Sequence, residues 1–366
     1  MKAKDLAKKL GVSPATISLV LNNKPGISDT LRKSLLRQIQ DLGYGQMLCE
    51  SCREGAAPGQ QPAPKAPEPY GGGCACKSIA YLIYHEHDYL EDMNDPYNFF
   101  SGVLEGIEAE AWEHDYCLIM LHAGRYKKAT VEEQLRRAGN VVGVIVHPCT
   151  LNEQMAETAR ALPVPCVFMD AYTDSTWQPP SVCISNSQGM HRAVEHLKSL
   201  GHRRIGYVSS GWRSNLNLER HRCFIEAMKE LDLKFDPGDL FVGGDEFRPT
   251  GSGLAEAFKA GGAAPTALIC EGDLQAIKAI RTLQQMGLRV PEDVSVVGFD
   301  DSPVCTSVEP AITTIRNSPQ LMGRQCVLML ENLLRLKDLG EEPWLRYELP
   351  ASLVLRSSTG PAPGDK

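Results

Sequence analysis

Apolar positions recur along this chain with two different periods. In the first 45 residues they fall three and four apart, the spacing of short helices with one buried face. Leu6, Ala7 and Leu10 mark a helix over 4–10, broken at Gly11-Val12-Ser13. Ser13 suits a helix cap and Pro14 a first turn, so a second helix runs from there to about Asn22. The Asn22–Gly26 stretch reads as a loop. Ser28 caps a third helix ending near Gly43, with Leu31, Leu35, Leu36, Ile39 and Leu42 on its buried face. From Ser78 onward the pattern changes to short, continuous apolar runs. The strand candidates are 79–85, 117–122, 141–147, 166–169, 182–185, 204–209, 240–243, 267–270 and 294–299. Between them lie helical stretches at 101–113, 187–200, 219–231, 253–260 and 273–286. Continuous apolar runs are expected of parallel strands covered on both faces. Alternation of strand and helix predicts a doubly wound α/β body, and nine or more strands predict two lobes.

Charge is divided in the same way as structure. The net charge is -7, yet residues 1–45 carry eight Lys/Arg against three acids, a net +5, so the remainder carries -12. A basic head on an acidic body suits a protein that touches nucleic acid with its head alone. A solvated Lys-rich helical domain would look the same by charge. MKAKDLAKKL has no apolar core and is not a signal peptide, and no run of eighteen apolar residues occurs, so a cytoplasmic protein without a membrane span is expected.

The two-helix unit around the Gly11 turn has helix-turn-helix form, in which the second helix enters the major groove. Ser13, Ala15, Thr16 and Ser18 would face the groove, offering hydroxyls to phosphates or bases and methyl groups to thymine. Asn22 is placed for a phosphate contact, and Lys2, Lys4 and Arg32 would add nonspecific attraction.

The run DLAKKLGVSPATISLVLNNKPGISDTLRKSLLRQIQDLGY resembles the head of the LacI/GalR family of bacterial transcription regulators. Leu31-Arg32 stands where that family has Thr-Arg, and Leu19 where many members carry a base-reading Arg. GIEAEAWEHDYCLIML, AVEHLKSLGHRRIGYVSS, GLRVPEDVSVVGFDD and EPAITTIRNSPQLMGRQCVLML extend the resemblance along the body. It implies an all-α helix-turn-helix head (1–46) joined to an α/β two-lobed, periplasmic-binding-protein-like body of two doubly wound parallel sheets (78–358), with a flexible tail at 359–366.

The joint at 47–77 departs from the family. Members follow Leu-Gly-Tyr with a Pro-Asn hinge helix, but here Tyr44 leads into Gly45-Gln46-Met47-Leu48 and a Pro/Gly-rich stretch. Cys49 and Cys52 open that stretch, and Cys74 and Cys76 close it. Four thiolates in close pairs fit a structural zinc ion, and could also hold another thiophilic metal or an iron–sulfur cluster. Unbound thiols or a redox-sensitive disulfide are the competing readings. The other eight cysteines lie singly, mostly beside apolar runs, as small core residues do.

Ligands of a two-lobed α/β body bind at the carboxyl ends of strands. By resemblance Phe99 and Phe100 match positions that stack on ligand, Asp300 a ligand-contacting Asp, and Asp273 the cleft end of a helix. Arg213 is added by proximity alone. Packing roles for the two Phe, a helix cap for Asp273 and a turn cap for Asp300 are the alternatives. No GxSxG, HExxH or P-loop occurs, so no enzyme and no cofactor for chemistry is expected. The expected function is a homodimeric regulator, a repressor, that binds a pseudo-palindromic operator in double-stranded DNA. Its effector would be a carbohydrate or, failing that, a nucleoside. The alternative is a transport-type binding protein, which would need an export signal and no head.

Overall fold

The computed structural model describes residues 3–44, 47–48, 76–84, 99–123, 130–148, 151, 153–173, 177–210, 214–242, 252–259, 264–338 and 345–364. It divides into two compact units, 1–74 and 75–366.

The first unit holds three helices: α1 (Ala3–Lys9), α2 (Pro14–Leu21) and α3 (Asp29–Asp41). Gly11 takes the left-handed conformation (φ +68°) that lets α1 stop and the chain reverse. Ser13 then caps α2, its Oγ accepting from the Thr16 amide at 3.1 Å. Ser28 caps α3 in the same way through Leu31. Leu6, Ala7, Ile17, Val20, Leu21, Leu35, Ile39 and Leu48 make the core. Leu31 and Leu42, expected on the buried side of α3, are exposed. The buried face of α3 runs through 32, 35 and 39 instead.

The second unit contains two six-stranded sheets. The N-lobe sheet is built from β1 (Lys77–Tyr84), β2 (Tyr116–Ala123), β3 (Val141–Pro148), β4 (Cys166–Met169), β5 (Ser181–Ile184) and β11 (Arg346–Leu349), in the order β11-β5-β4-β3-β1-β2. The C-lobe sheet contains β6 (Ile205–Ser209), β7 (Leu240–Val242), β8 (Ala267–Cys270), β9 (Ser295–Asp300), β10 (Thr313–Arg316) and β12 (Ser352–Val354), in the order β12-β10-β9-β8-β6-β7. Only β12, paired to β10, runs antiparallel. Every residue of β5 and β8 is buried, which is why these strands read as unbroken apolar runs. Helices α4 (Phe99–Glu113), α5 (Val131–Ala138), α6 (Glu153–Ala161), α7 (Asn186–Ser199), α8 (Asn215–Glu230), α9 (Ser252–Lys259), α10 (Asp273–Gln285) and α11 (Pro319–Asp338) surround the sheets. No helix among the described residues is long and apolar enough to cross a membrane.

The chain passes between the lobes three times: after β5, after β10 and after β11. These passages meet at one place. The Ser185 amide donates to Leu349 O (2.8 Å), Arg192 to Ala351 O (2.9 Å), and the Ala351 amide to Gln188 Oε1 (3.0 Å). Any side chain at Gly189 would strike Ile315 at 2.7 Å and Ala351 at 3.2 Å. A second close approach joins α4 to α11. A Cβ on Gly106 would lie 2.0 Å from Gln320 O, and one on Gly323 2.2 Å from Val103 O, so these helices touch backbone to backbone.

The tail expected to be flexible from 359 is anchored as far as 362. Thr359 bonds His196 and Thr313, the Gly360 amide donates to Ser295, and the Ala362 amide donates to Leu200 O. Buried His202 needs this segment, because its Nε2 lies 3.1 Å from Gly360 O.

Candidate functional site

The head presents one outward face of α2. Ser13, Ala15, Ser18 and Asn22 are exposed, Thr16 is half-exposed, and Lys4 of α1 is exposed. The hydroxyls are pre-set by local bonds: Ser13 Oγ and Thr16 Oγ1 are 2.8 Å apart, and Asn22 Nδ2 donates to Ser18 O at 2.9 Å. Arg32 does not belong to this face. It is 4% exposed, and its guanidinium donates to Leu19 O, Asn23 Oδ1 and Lys24 O. It clamps the turn after α2, where Asn23 is held at φ +48°. The nonspecific attraction to DNA expected of Arg32 is not its role in this structure, because its guanidinium is spent on two backbone carbonyls and the Asn23 side chain.

In the body, polar groups gather at the carboxyl ends of strands. Asp300 ends β9 in a left-handed conformation (φ +107°), followed by Asp301 (φ +54°). The strained turn is held from several sides. Asp301 pairs with Arg316 and Arg356, both at 2.5 Å, and Asp273 accepts from the Ser302 amide and hydroxyl, both at 2.8 Å.

Asp300 Oδ1 accepts from Arg220 at 2.9 Å and from Asn317 at 2.9 Å. Arg220 has its guanidinium carbon over Phe299, 3.8 Å from the ring centre, and also donates to Glu271 O at 2.6 Å. Burial opposes its charge, but Asp300 and Asp170 outweigh burial and raise its pKa. Glu271 is buried and fixed in turn by Ser209, the Ser210 amide and Asn217. Ser209 and Glu271 mark the ends of β6 and β8, where the strand order reverses and α/β sheets bind ligands.

The N-lobe contributes Asp170 at the end of β4. Burial pushes its carboxyl up to about 6, against the Ile184 amide (3.0 Å) and the Arg220 charge. Asn215 crosses between the lobes, donating to Leu151 O at 3.2 Å and Tyr172 O at 2.7 Å. Phe99 and Phe100 open α4. Phe99 packs against the core, whereas Phe100 meets His147, at the end of β3, with ring centres 4.7 Å apart.

Asp300 thus ends β9 and Phe100 meets the end of β3, both at the carboxyl side of a sheet. Asp273 does not serve as expected: it is 2% exposed, with both carboxylate oxygens occupied by Ser302 and Thr314. Burial and the charge of Asp300 push it up to about 6. It neither caps α10 nor faces a ligand; it holds the Asp300 turn. Arg213 lies outside the described residues; Arg220, in the second turn of α8, is the described guanidinium that pairs with Asp300. Arg220 was legible: it shares one face of α8 with Cys223, Phe224 and Ala227, and an Arg on an apolar stripe has a buried partner. Asn186 was also missed. It is buried at the start of α7, where the chain first changes lobe, and neither of its amide atoms has a partner among the described residues.

Cys49, Cys52 and Cys74 lie outside the described residues, and no group of three metal-ligating side chains occurs among those described. Cys117, expected in the core, is exposed, and its sulfur lies 3.0 Å from that of Cys76.

Residues 2–45 match the bacterial regulatory proteins of the lacI family, and residues 194–359 match a periplasmic binding protein-like domain. The HTH-type transcriptional regulator MalR of Streptomyces coelicolor is 30% identical over 99% of this chain and 97% of its own. The transcriptional regulator CelR in complex with cellobiose has a TM-score of 0.64 at 23% identity, covering 98% of this chain and 99% of that one. The lac repressor dimer bound to operator and the anti-inducer ONPF has a TM-score of 0.62 at 25% identity, covering 78% and 95%. An outward polar helix face, two lobes with polar strand ends and a relative matched along its whole length lead to one identification: the chain belongs to the LacI family, and is a DNA-binding transcription regulator under effector control rather than an enzyme.

Proposed function

We propose that the protein is a repressor that binds a pseudo-palindromic operator as a homodimer in the cytoplasm and responds to a carbohydrate. Ser13, Ala15, Thr16, Ser18 and Asn22 form the reading face, and Lys4 adds a phosphate contact. One such face reads few base pairs, so two related copies are needed for a specific site. The lac repressor dimer on its operator has this arrangement. Trp112 on α4 is 79% exposed and Met120 on the neighbouring edge strand β2 is 44% exposed, which supports the N-lobe as the subunit contact.

The observation that carries the effector reading is the Arg220–Asp300 pair. Asp300 spends Oδ1 on its two donors and has Oδ2 left to accept from a hydroxyl. Arg220 Nε is buried with no partner among the described residues. A carboxylate beside a planar guanidinium recognises neighbouring hydroxyls: the carboxylate accepts from one and the guanidinium donates to the next. Phe100 and His147 offer the apolar face that sugar rings stack on. CelR, of the same fold, was solved with cellobiose.

Selection of bound DNA from a random library, repeated with a sugar panel that includes cellobiose, tests this reading. Enrichment of a palindrome whose binding a sugar alters supports it. Enrichment of no palindrome would overturn the dimeric operator.

A further inference from the structure

Most of the described cysteines are sequestered. Cys183, Cys223, Cys270, Cys305 and Cys326 are buried and Cys166 is half-buried. Burial pushes the thiols of Cys166, Cys183 and Cys223 up to about 12, and raises those of Cys270, Cys305 and Cys326 as well. Such thiols stay protonated at neutral pH and react slowly.

Cys117 is exposed and Cys76 half-buried, and the two differ from the others in lying side by side. Lys77 pairs with Tyr116 and Ser78 with Cys117, so Cys76 meets β2 one residue before β1 begins. The two sulfurs are 3.0 Å apart. Asn140 Nδ2 donates to Cys76 O at 3.1 Å and fixes the backbone there. β2 is the edge of its sheet, so no further strand among the described residues covers the pair. A disulfide bond is about 2 Å long, so the sulfurs must close by about 1 Å; because the two residues are diagonal in the register, closure also draws the chain at Cys76, ahead of β1, toward β2.

We propose that Cys76 and Cys117 form a thiol-oxidation site, which peroxides or small-molecule disulfides convert to a reversible intrachain disulfide. With hydrogen peroxide, one thiolate attacks an oxygen and becomes a sulfenic acid as the other oxygen leaves as water. The second thiol attacks that sulfur and releases a second water, so two thiols and one peroxide give one disulfide and two waters. With a disulfide such as oxidised glutathione, the first thiolate displaces one glutathione and the second cysteine displaces the other. Cys76 follows Cys74, where the first unit ends, by two residues. The bond therefore tethers the end of the connector to the N-lobe sheet.

Full-length protein is treated with hydrogen peroxide or oxidised glutathione, alkylated, digested and mapped by mass. The expected product is a Cys76–Cys117 cross-linked peptide, absent after dithiothreitol and absent from Cys117→Ser. Circular dichroism checks that Cys117→Ser, altered at an exposed position, remains folded. Recovery of Cys76 joined to Cys49, Cys52 or Cys74 would overturn the assignment. So would recovery of both residues alkylated from the oxidised, folded protein. Zinc bound by the parent and lost in Cys76→Ser would equally overturn it, by giving Cys76 to a metal.

Discussion

Arg220 rests on Phe299, with its guanidinium carbon 3.8 Å from the ring centre, and from that seat reaches Asp300 at 2.9 Å. The stacking fixes the plane of the guanidinium before any ligand arrives. The ion pair is then a preorganised recognition element whose geometry belongs to the C-lobe alone. Arg220→Ala leaves Asp300 with Asn317 as its remaining partner and opens space over Phe299. Breaking a buried pair in this way costs about 3–5 kcal/mol. Asp300→Asn retains an acceptor and loses less. Urea denaturation should rank Arg220→Ala well below Asp300→Asn, and calorimetry should show both weakening sugar binding at least about tenfold.

Asp170 makes stability depend on pH in a defined direction. Its carboxyl is raised from 3.8 to about 6 in the folded protein. Its contribution is therefore complete below about 4 and is lost as pH rises through 6. Burial lowers His196, His202 and His221, which act oppositely as pH falls below 6.5. The informative quantity is the difference between the parent and Asp170→Asn. The variant should melt above the parent at pH 8, and the gap should shrink as pH falls through 6 and close only below about 4. A gap that is constant from pH 5 to 8 would refute the assignment.

The backbone contact between α4 and α11 leaves no room for a methyl group. Gly106→Ala should destabilise the protein by roughly 1–3 kcal/mol or more, because the atom that it meets is a main-chain carbonyl. Thermal melting reads this directly. Gly139→Ala, where a Cβ meets nothing, controls for conformational cost alone.

Lys4 and Arg32 should separate cleanly in the salt dependence of operator binding. Lys4→Ala removes one phosphate contact and should lower the slope of log K against log salt by about 1. Arg32→Ala should instead lower the stability of the head, which loses the clamp on Leu19, Asn23 and Lys24. Native-state hydrogen exchange in α2 would report that loss.

Trp112→Glu places a charge on the proposed subunit contact. Sedimentation should show monomers, with operator affinity reduced by at least tenfold and sugar binding unchanged. A dimer of undiminished strength would move the interface elsewhere.

The sequence was legible where burial is complete. Strands such as β5, β8 and β9 are apolar over most of their buried lengths, the buried Ser181 and Ser295 at the starts of β5 and β9 excepted, and each was found within a few residues. β10, β11 and β12 were missed because they are short and carry exposed polar residues, as in Arg346-Tyr347-Glu348-Leu349. Their strand character comes from pairing with distant partners. At the sites, one signal was overlooked twice. Arg32 shares a helical stripe with Leu35 and Ile39, and Arg220 one with Cys223, Phe224 and Ala227. An arginine in register with the core is a clamp, and its partners are carbonyls or carboxylates nearby. Cys117 showed the reverse: an apolar-looking run placed it in the core, but it lies at the exposed start of an edge strand.

The junction of the three passages at Gly189, Ile315 and Ala351 has a consequence for how such a sensor can diversify. Three strands tied at one point allow the lobes to pivot but resist sliding and twisting. Any molecule that draws the two strand ends together is thus translated into the same rotation, whatever its identity. The chemistry of recognition and the mechanics of response are written in separate residues. Substitutions in the cleft can retune which molecule is sensed while the output stroke stays the same.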